Sequence, residues 1–215
     1  MVGIARRPGT IEHANYRHLR ADLGELGALA ALVEAQVGSS VANPAISRLA
    51  LVNNAALIGL LGKLEQVDPG KLLQVYAVNV AAPIWLMGWL LRRAAPTAVV
   101  RIVNVSSAAG VRAFPGLGAY GSAKAALRLA GMVLALELDA SRDASVLSFE
   151  PGIVDTDMQA TARTAPPEVL PSFGFFQQVA AEGRLAPPAA PARVIVDYLD
   201  GDGHPKFSED RYEPS

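Results

Sequence analysis

Cysteine is absent from this 215-residue chain, which excludes both a disulfide framework and thiolate chemistry. An excess of charge of one sign is absent too: 19 Lys and Arg against 20 Asp and Glu give a formal net charge of -1. So balanced a chain has no general attraction for nucleic acid or an anionic membrane, and neither is expected as a partner. Histidine is scarce. His13, His18 and His204 lie far apart without metal-ligand spacing, so no metal site is expected. Long apolar runs are missing as well. The longest, Ala77 to Leu91, is interrupted by Asn79 and Pro83 and is short for a bilayer span. Met1 to Pro8 carries Arg6-Arg7 where the apolar core of a secretory signal would continue. The expectation is a soluble, cytoplasmic protein.

What is present fits a globular fold: 51% hydrophobic and 18% charged residues, with length enough for one domain spanning 1–215. Short β-rich runs alternate with helical patterns. Val2–Ala5, Leu49–Val52, Val99–Val105 and Ser145–Phe149 read as strands. Leu26–Val37, Lys71–Arg93 and Ala119–Leu138 read as helices, the last apolar almost all round. Such alternation predicts an α/β fold with a parallel sheet covered on both faces. Ligands of such sheets lie beyond the carboxyl ends of the strands, where Asn53, Ser107 and Gly152 fall. From Pro166 to Pro191, prolines recur around Phe173, Phe175 and Phe176. That segment reads as a loop with a short helix, either a cover for a pocket or an ordinary surface excursion.

The chemistry-bearing stretch is Tyr120-Gly121-Ser122-Ala123-Lys124, preceded by Ser106-Ser107 at the end of an apolar strand. Residues four apart on a helix share a face. Free tyrosine has a pKa of about 10, and bringing it near 7 takes roughly 4 kcal/mol. One ammonium about 4 Å away supplies roughly that at an effective dielectric of about 20. Lys124 is therefore expected to make Tyr120 a proton donor near neutral pH. The plainer reading is a buried tyrosine beside a snorkelling lysine.

Taken together the motifs resemble the short-chain dehydrogenase/reductase family over most of the chain. Asn53-Asn54-Ala55-Ala56 is similar to the family's Asn-Asn-Ala-Gly turn. Asn79 matches its helix asparagine, Ser107 stands thirteen residues before Tyr120 as the family serine does, and Tyr120 with Lys124 matches Tyr-x-x-x-Lys. Pro151-Gly152-Ile153-Val154-Asp155-Thr156 matches the Pro-Gly segment at the nicotinamide end of the coenzyme. The resemblance implies a doubly wound, Rossmann-type, three-layer fold. It implies hydride transfer from NADPH to a small-molecule carbonyl, with Tyr120 as general acid, Ser107 orienting the carbonyl oxygen and Lys124 on the nicotinamide ribose. Asn79 would hold a water relaying protons to Lys124.

The resemblance also implies the coenzyme contacts. Arg6, with Arg7 beside it, takes the place where an acidic residue would select NAD, so NADP is expected; the plain alternative is a solvated basic turn. Asp22-Leu23 would contact the adenine, or Asp22 would cap the next helix. Asn53 would fix the turn below the adenosine and Ala55 would lie along the coenzyme. Pro151, Gly152, Val154 and Thr156 would wrap the nicotinamide end, unless Thr156 merely caps a turn. The two long helices would form the interface of a homodimer or homotetramer.

The chain departs from the family pattern at its amino end, where a first strand, a Thr-Gly-x-x-x-Gly-x-Gly turn and a first helix would stand. Their loss is expected to leave a gap in the sheet, low stability and weak coenzyme binding. The Pro-Gly segment and Ala5-Arg6-Arg7 look like the sepiapterin reductase and benzil reductase branch, which implies a vicinal dicarbonyl or pterin ketone. Two rivals stand beside it: a reductase of sugar, steroid or 3-oxoacyl substrates, and a reductase-like protein that binds or scaffolds without catalysis.

Overall fold

A computed structural model describes residues 1–59 and 61–213. Its elements follow the alternation of the sequence. In order they are β1 (Val2–Ala5), β2 (Arg17–Arg20), α1 (Leu26–Val41), β3 (Arg48–Asn53), α2 (Pro69–Tyr76), α3 (Ala82–Arg93), β4 (Val99–Val105), α4 (Gly118–Glu137), β5 (Ala144–Glu150), α5 (Asp157–Thr164), α6 (Phe173–Ala181), α7 (Ala189–Asp200) and β6 (Phe207–Arg211). All strand pairings are parallel.

The strands form two sheets. β1 pairs only with β2, and β3-β4-β5-β6 form the second. The gap expected from the sequence is thus realised, between β1 and β3. Helices bridge it: Leu29, Val33 and Val41 of α1 and Ala82, Leu86, Met87, Trp89 and Leu90 of α3 share one core with Val100, Ile102 and Val146 of the larger sheet, and Ile4 of the smaller packs onto it. Glu34 of α1 fastens these helices together, accepting Trp89 Nε1–H at 2.9 Å and pairing with the Arg93 guanidinium. Those bonds hold its carboxyl below the usual carboxylate range.

On the opposite face α7 packs Tyr198, Val194, Ile195 and Leu199 against Val103, Leu147 and Phe149. This cover stops short of β3, whose Ala50 and Val52 face outward and are exposed. The expectation of a sheet covered on both faces therefore holds for β4 and β5 but not for β3.

The stretch read as one helix over Lys71–Arg93 is helical throughout but not uniformly so. Between α2 and α3, residues Ala77–Ala81 widen into a π-helical turn that contains Asn79, a distortion that frequently marks functional sites. Pro69–Arg93 is long and apolar enough to cross a membrane by length and composition, more than the uninterrupted run of the sequence suggested. Its inner face is nonetheless spent on the core: Val75, Asn79, Met87 and Leu90 are all buried.

Candidate active site

The amino-terminal turns of α4 hold Tyr120 and Lys124, which are 7% and 2% exposed. Two close approaches set them against the end of β4. A Cβ on Gly121 would meet the Ala109 carbonyl at 2.6 Å, and one on Gly110 would sit 3.2 Å from the Lys124 backbone. Only side chains this small let the turn after Ser107 lie flat on α4. Ser107 caps that turn, its Oγ accepting from the Ala109 N–H at 3.2 Å, and its hydroxyl acts on the Tyr120 phenol to lower the phenol's pKa.

The electrostatics correct one expectation. Lys124 Nζ donates to the Val105 carbonyl at 2.6 Å and lies 5.7 Å from the centroid of the Tyr120 ring. Burial raises the phenol's pKa above its ordinary value, and the bond with Ser107 offsets this only in part. Burial outweighs the neighbouring ammonium, so the phenol is not brought near neutral pH. Burial also pushes the Lys124 ammonium down to about 8, since desolvation penalises the charged form.

Asn79 is fully buried, and its carboxamide reaches the loop after β3. Its Nδ2 donates to the Leu57 carbonyl at 2.8 Å and its Oδ1 accepts the Leu57 N–H at 2.7 Å. These bonds tie the loop after β3 to the π-helical turn. Asn53 likewise turns inward, its Nδ2 donating to Asn104 Oδ1 at 2.8 Å across the β3–β4 register. Asn104 in turn meets Met87 Sδ at 3.4 Å. This buried amide was missed from sequence; its signal was an Asn inside a strand that is apolar but for Arg101.

Arg6, Arg7, Asp22, Leu23 and Ala55 do come together. They line a cleft of about 500 Å³ at the carboxyl ends of β1, β2 and β3, with Leu57 and Val78 at its wall. Asp22 does not cap α1. Its Oδ1 accepts the Gly24 N–H at 2.8 Å, and its other oxygen stands 4.0 Å from Arg6 Nη1.

Pro151 and Gly152 follow β5. Val154 forms a parallel bridge with Ala186, closing the stem of the α5–α6 segment. Thr156 takes the plainer of its two roles: its Oγ1 accepts from the Gln159 N–H at 3.3 Å and caps α5. Above the stem, Leu170, Ala162 and Ala165 pack with Leu117, Phe114, Phe173 and Phe176 in a cluster of their own. Gly116 seats this cover. Its φ is +86°, and a Cβ there would strike the Val169 carbonyl at 2.6 Å. Gln159, buried and bonded to the Phe176 carbonyl at 3.2 Å, pins α5 to α6. Neither Gly116 nor Gln159 was singled out from sequence, because each acts through a contact with a distant segment.

Known proteins share this arrangement. A family model described as short chain dehydrogenase matches residues 13–167. A sepiapterin reductase of Xenopus tropicalis is 33% identical over 194 residues, covering 86% of this chain and 70% of its own length. A benzil reductase ((S)-benzoin forming) of Bacillus cereus is 27% identical over 173 residues, covering 80% of this chain and 70% of its own. Among solved structures, a short-chain dehydrogenase/reductase of Saccharomyces cerevisiae superposes with a TM-score of 0.81 at 27% identity, over 97% of this chain and 84% of that one. An angucycline C-6 ketoreductase with bound NADP superposes with a TM-score of 0.70 at 27% identity, over 91% and 74%.

Proposed function

Because the chain belongs to the short-chain dehydrogenase/reductase family, we propose that residues 1–215 form one reductase domain that uses NADPH to reduce ketones, vicinal dicarbonyls in particular. The observation that carries this reading is the burial of Tyr120 and Lys124 on one face of α4, against the turn that Ser107 caps.

The cleft at the ends of β1–β3 suits the adenosine end of NADP. Two guanidiniums, Arg6 and Arg7, converge there on the space a 2′-phosphate needs. A bound dihydronicotinamide supplies the hydride. Ser107 holds the substrate oxygen by a hydrogen bond, and Tyr120 gives its proton to that oxygen as charge builds. A raised phenol pKa suits this direction. Tyr120 stays protonated across the physiological range, and even a weakened phenol is a far stronger acid than the alcohol it creates. Lys124, charged below about pH 8, offsets the phenolate left behind and binds ribose hydroxyls. Asn79 keeps the Leu57 loop against the coenzyme channel, and Pro151, Gly152, Val154 and Thr156 form its nicotinamide end.

The substrate reading draws on the sepiapterin and benzil reductases that this chain resembles. It also draws on the aromatic cover of Phe114, Phe173 and Phe176 packed on Leu117 at the amino end of α4, which suits a flat aryl or pterin group. The test is fluorescence titration with NADPH followed by turnover of a ketone panel including vicinal diketones. Wild type and Tyr120→Phe should bind the coenzyme equally, and only wild type should consume it. Binding with no consumption of any ketone by the wild type would favour a binding protein instead.

A further inference from the structure

The cluster that packs on Leu117 is fed from two sides. Phe173 and Phe176 of α6 reach it from one, and Ile58 and Leu61, from the chain that follows β3, reach it from the other. The segment 61–66 is firmly fastened for a surface connection. Gly62 bridges to Leu117, its N–H donating to the Gly116 carbonyl at 3.0 Å. Leu64–Gln66 then form one turn of 3-10 helix, and shortly after it Asp68 caps α2 by accepting the Lys71 N–H.

Gly118 seats the tip of this segment. A Cβ there would lie 2.5 Å from Leu64 Cδ2 and 2.7 Å from its Cγ, so even alanine would push the leucine off the first turn of α4, two residues before Tyr120. That turn is itself braced. Ser122 Oγ donates to the Gly118 carbonyl at 2.7 Å and accepts from the Tyr76 hydroxyl of α2 at 2.9 Å. Gly116 seats the α5–α6 cover beside it. Both walls therefore stand on Gly116-Leu117-Gly118, the step into α4.

A leucine held this closely is ordinarily sunk in a core, yet Leu64 is 68% exposed. Lys63 and Glu65 on either side of it pair with one another at 3.7 Å, which leaves the leucine as the apolar tip of the turn. Val111, between Ala109 and Phe114 of the cluster, is exposed too, and so is Phe175, between Phe173 and Phe176. Single apolar side chains on a surface are commonplace. Here each of the three segments that the cluster joins carries one. Resting on the reductase reading, we propose that Leu64 is a specificity-determining residue for the substrate. It contacts the arm of a vicinal diketone that lies away from the carbonyl being reduced, and with Val111 and Phe175 as the other lips of an apolar mouth it favours a flat aryl group there.

Steady-state kinetics of the 215-residue chain with NADPH compare two vicinal diketones: benzil, with phenyl arms, and butane-2,3-dione, with methyl arms. Leu64→Ala should lower the benzil-to-butanedione ratio of kcat/KM by about tenfold, the scale on which an apolar pocket discriminates small differences in fit. The loss should fall on the KM for benzil and not on kcat. Leu64→Met keeps the volume and should restore the ratio. Gly118→Ala removes no atom of Leu64 but displaces it, and should move the ratio the same way. Val196→Ala, at an exposed valine of α7 outside the mouth, should not move it. A ratio unchanged in Leu64→Ala, while butanedione is still reduced, overturns the role of Leu64 and leaves the reductase reading intact. So does an equal slowing of both diketones, or a fall as large in Val196→Ala. A wild-type chain that consumes NADPH with no ketone overturns the reductase reading and this role together.

Discussion

Tyr120 and Lys124 carry the site, and their spacing was plain in the sequence; the direction in which the ammonium points was not. That direction depends on the Val105 carbonyl, which reaches the lysine only once β4 lies beneath α4. Tyr120→Phe is expected to lower turnover by about 10²–10⁴-fold, the usual share of a general acid, with NADPH binding retained in a fluorescence titration. The Lys124 pKa of about 8 makes two opposite pH trends. Activity should fall as pH rises through about 8, because the ammonium that offsets the phenolate is lost; a pH–rate profile checks this. Stability should move the other way. Lysine in the unfolded chain keeps its proton to about pH 10.4, so between about 8 and 10.4 the unfolded state binds more protons and the fold gains stability with pH. Lys124→Met should abolish that rise in thermal melts taken across the same window. Asn53 was legible as a residue type without its partner Asn104, whereas the cap made by Thr156 was among its expected roles. A turn asparagine and one bonded across a sheet look alike in one dimension.

Elements with an apolar period were read closely, and those without one were missed. β4 and α4 declare themselves through Val99–Val105 and the long apolar stripe of Gly118–Glu137. β2, Arg-His-Leu-Arg, buries only Leu19, and β6, Phe-Ser-Glu-Asp-Arg, is an edge strand with a polar outer half. Neither offers the alternation that marks a strand. α7 hides behind Pro191 in its first turn, a placement helices tolerate. The segment from Pro166 to Pro191 was anticipated as a loop with a short helix, and α6 is that helix; α5, before it, was not anticipated. The seat of the α5–α6 cover rests on Leu170, which is fully buried in the aromatic cluster. Leu170→Ala should cost about 2–5 kcal/mol by the cavity it leaves. Limited proteolysis should then cut within 166–176 before it touches β4 or β5, and the KM for a bulky diketone should change more than that for NADPH.

At the scale of the molecule, the end of the sheet remote from Tyr120 is closed by charge. Arg101, wholly buried, donates to Asp143 Oδ1 at 2.7 Å and to the Gly201 carbonyl at 3.2 Å, while Arg48 donates to the Leu199 and Gly201 carbonyls and to Asp202. Asp143 and Asp202 are more than half exposed, so the two partners are unequal. Asp143→Ala leaves the buried guanidinium its longer pair with Asp202, at 3.5 Å, and backbone carbonyls, and should destabilise by about 1–3 kcal/mol; Arg101→Leu frees an aspartate to water and should cost less in urea melts. The outer face of α4 leaves Leu129, Val133 and Leu136 exposed, near Leu73 of α2. This is the face on which a second copy is expected, and Leu136→Glu should shift sedimentation toward the monomer. The separation of β1–β2 from β3–β6 reaches further. No backbone ladder crosses it among the described residues, so the two parts are held together by side-chain packing in the core that α1 and α3 share with both. A chain pulled by its ends, or warmed gently, should part along this seam first, with amides of β1 and β3 trading hydrogen for deuterium well ahead of those in β4 and β5.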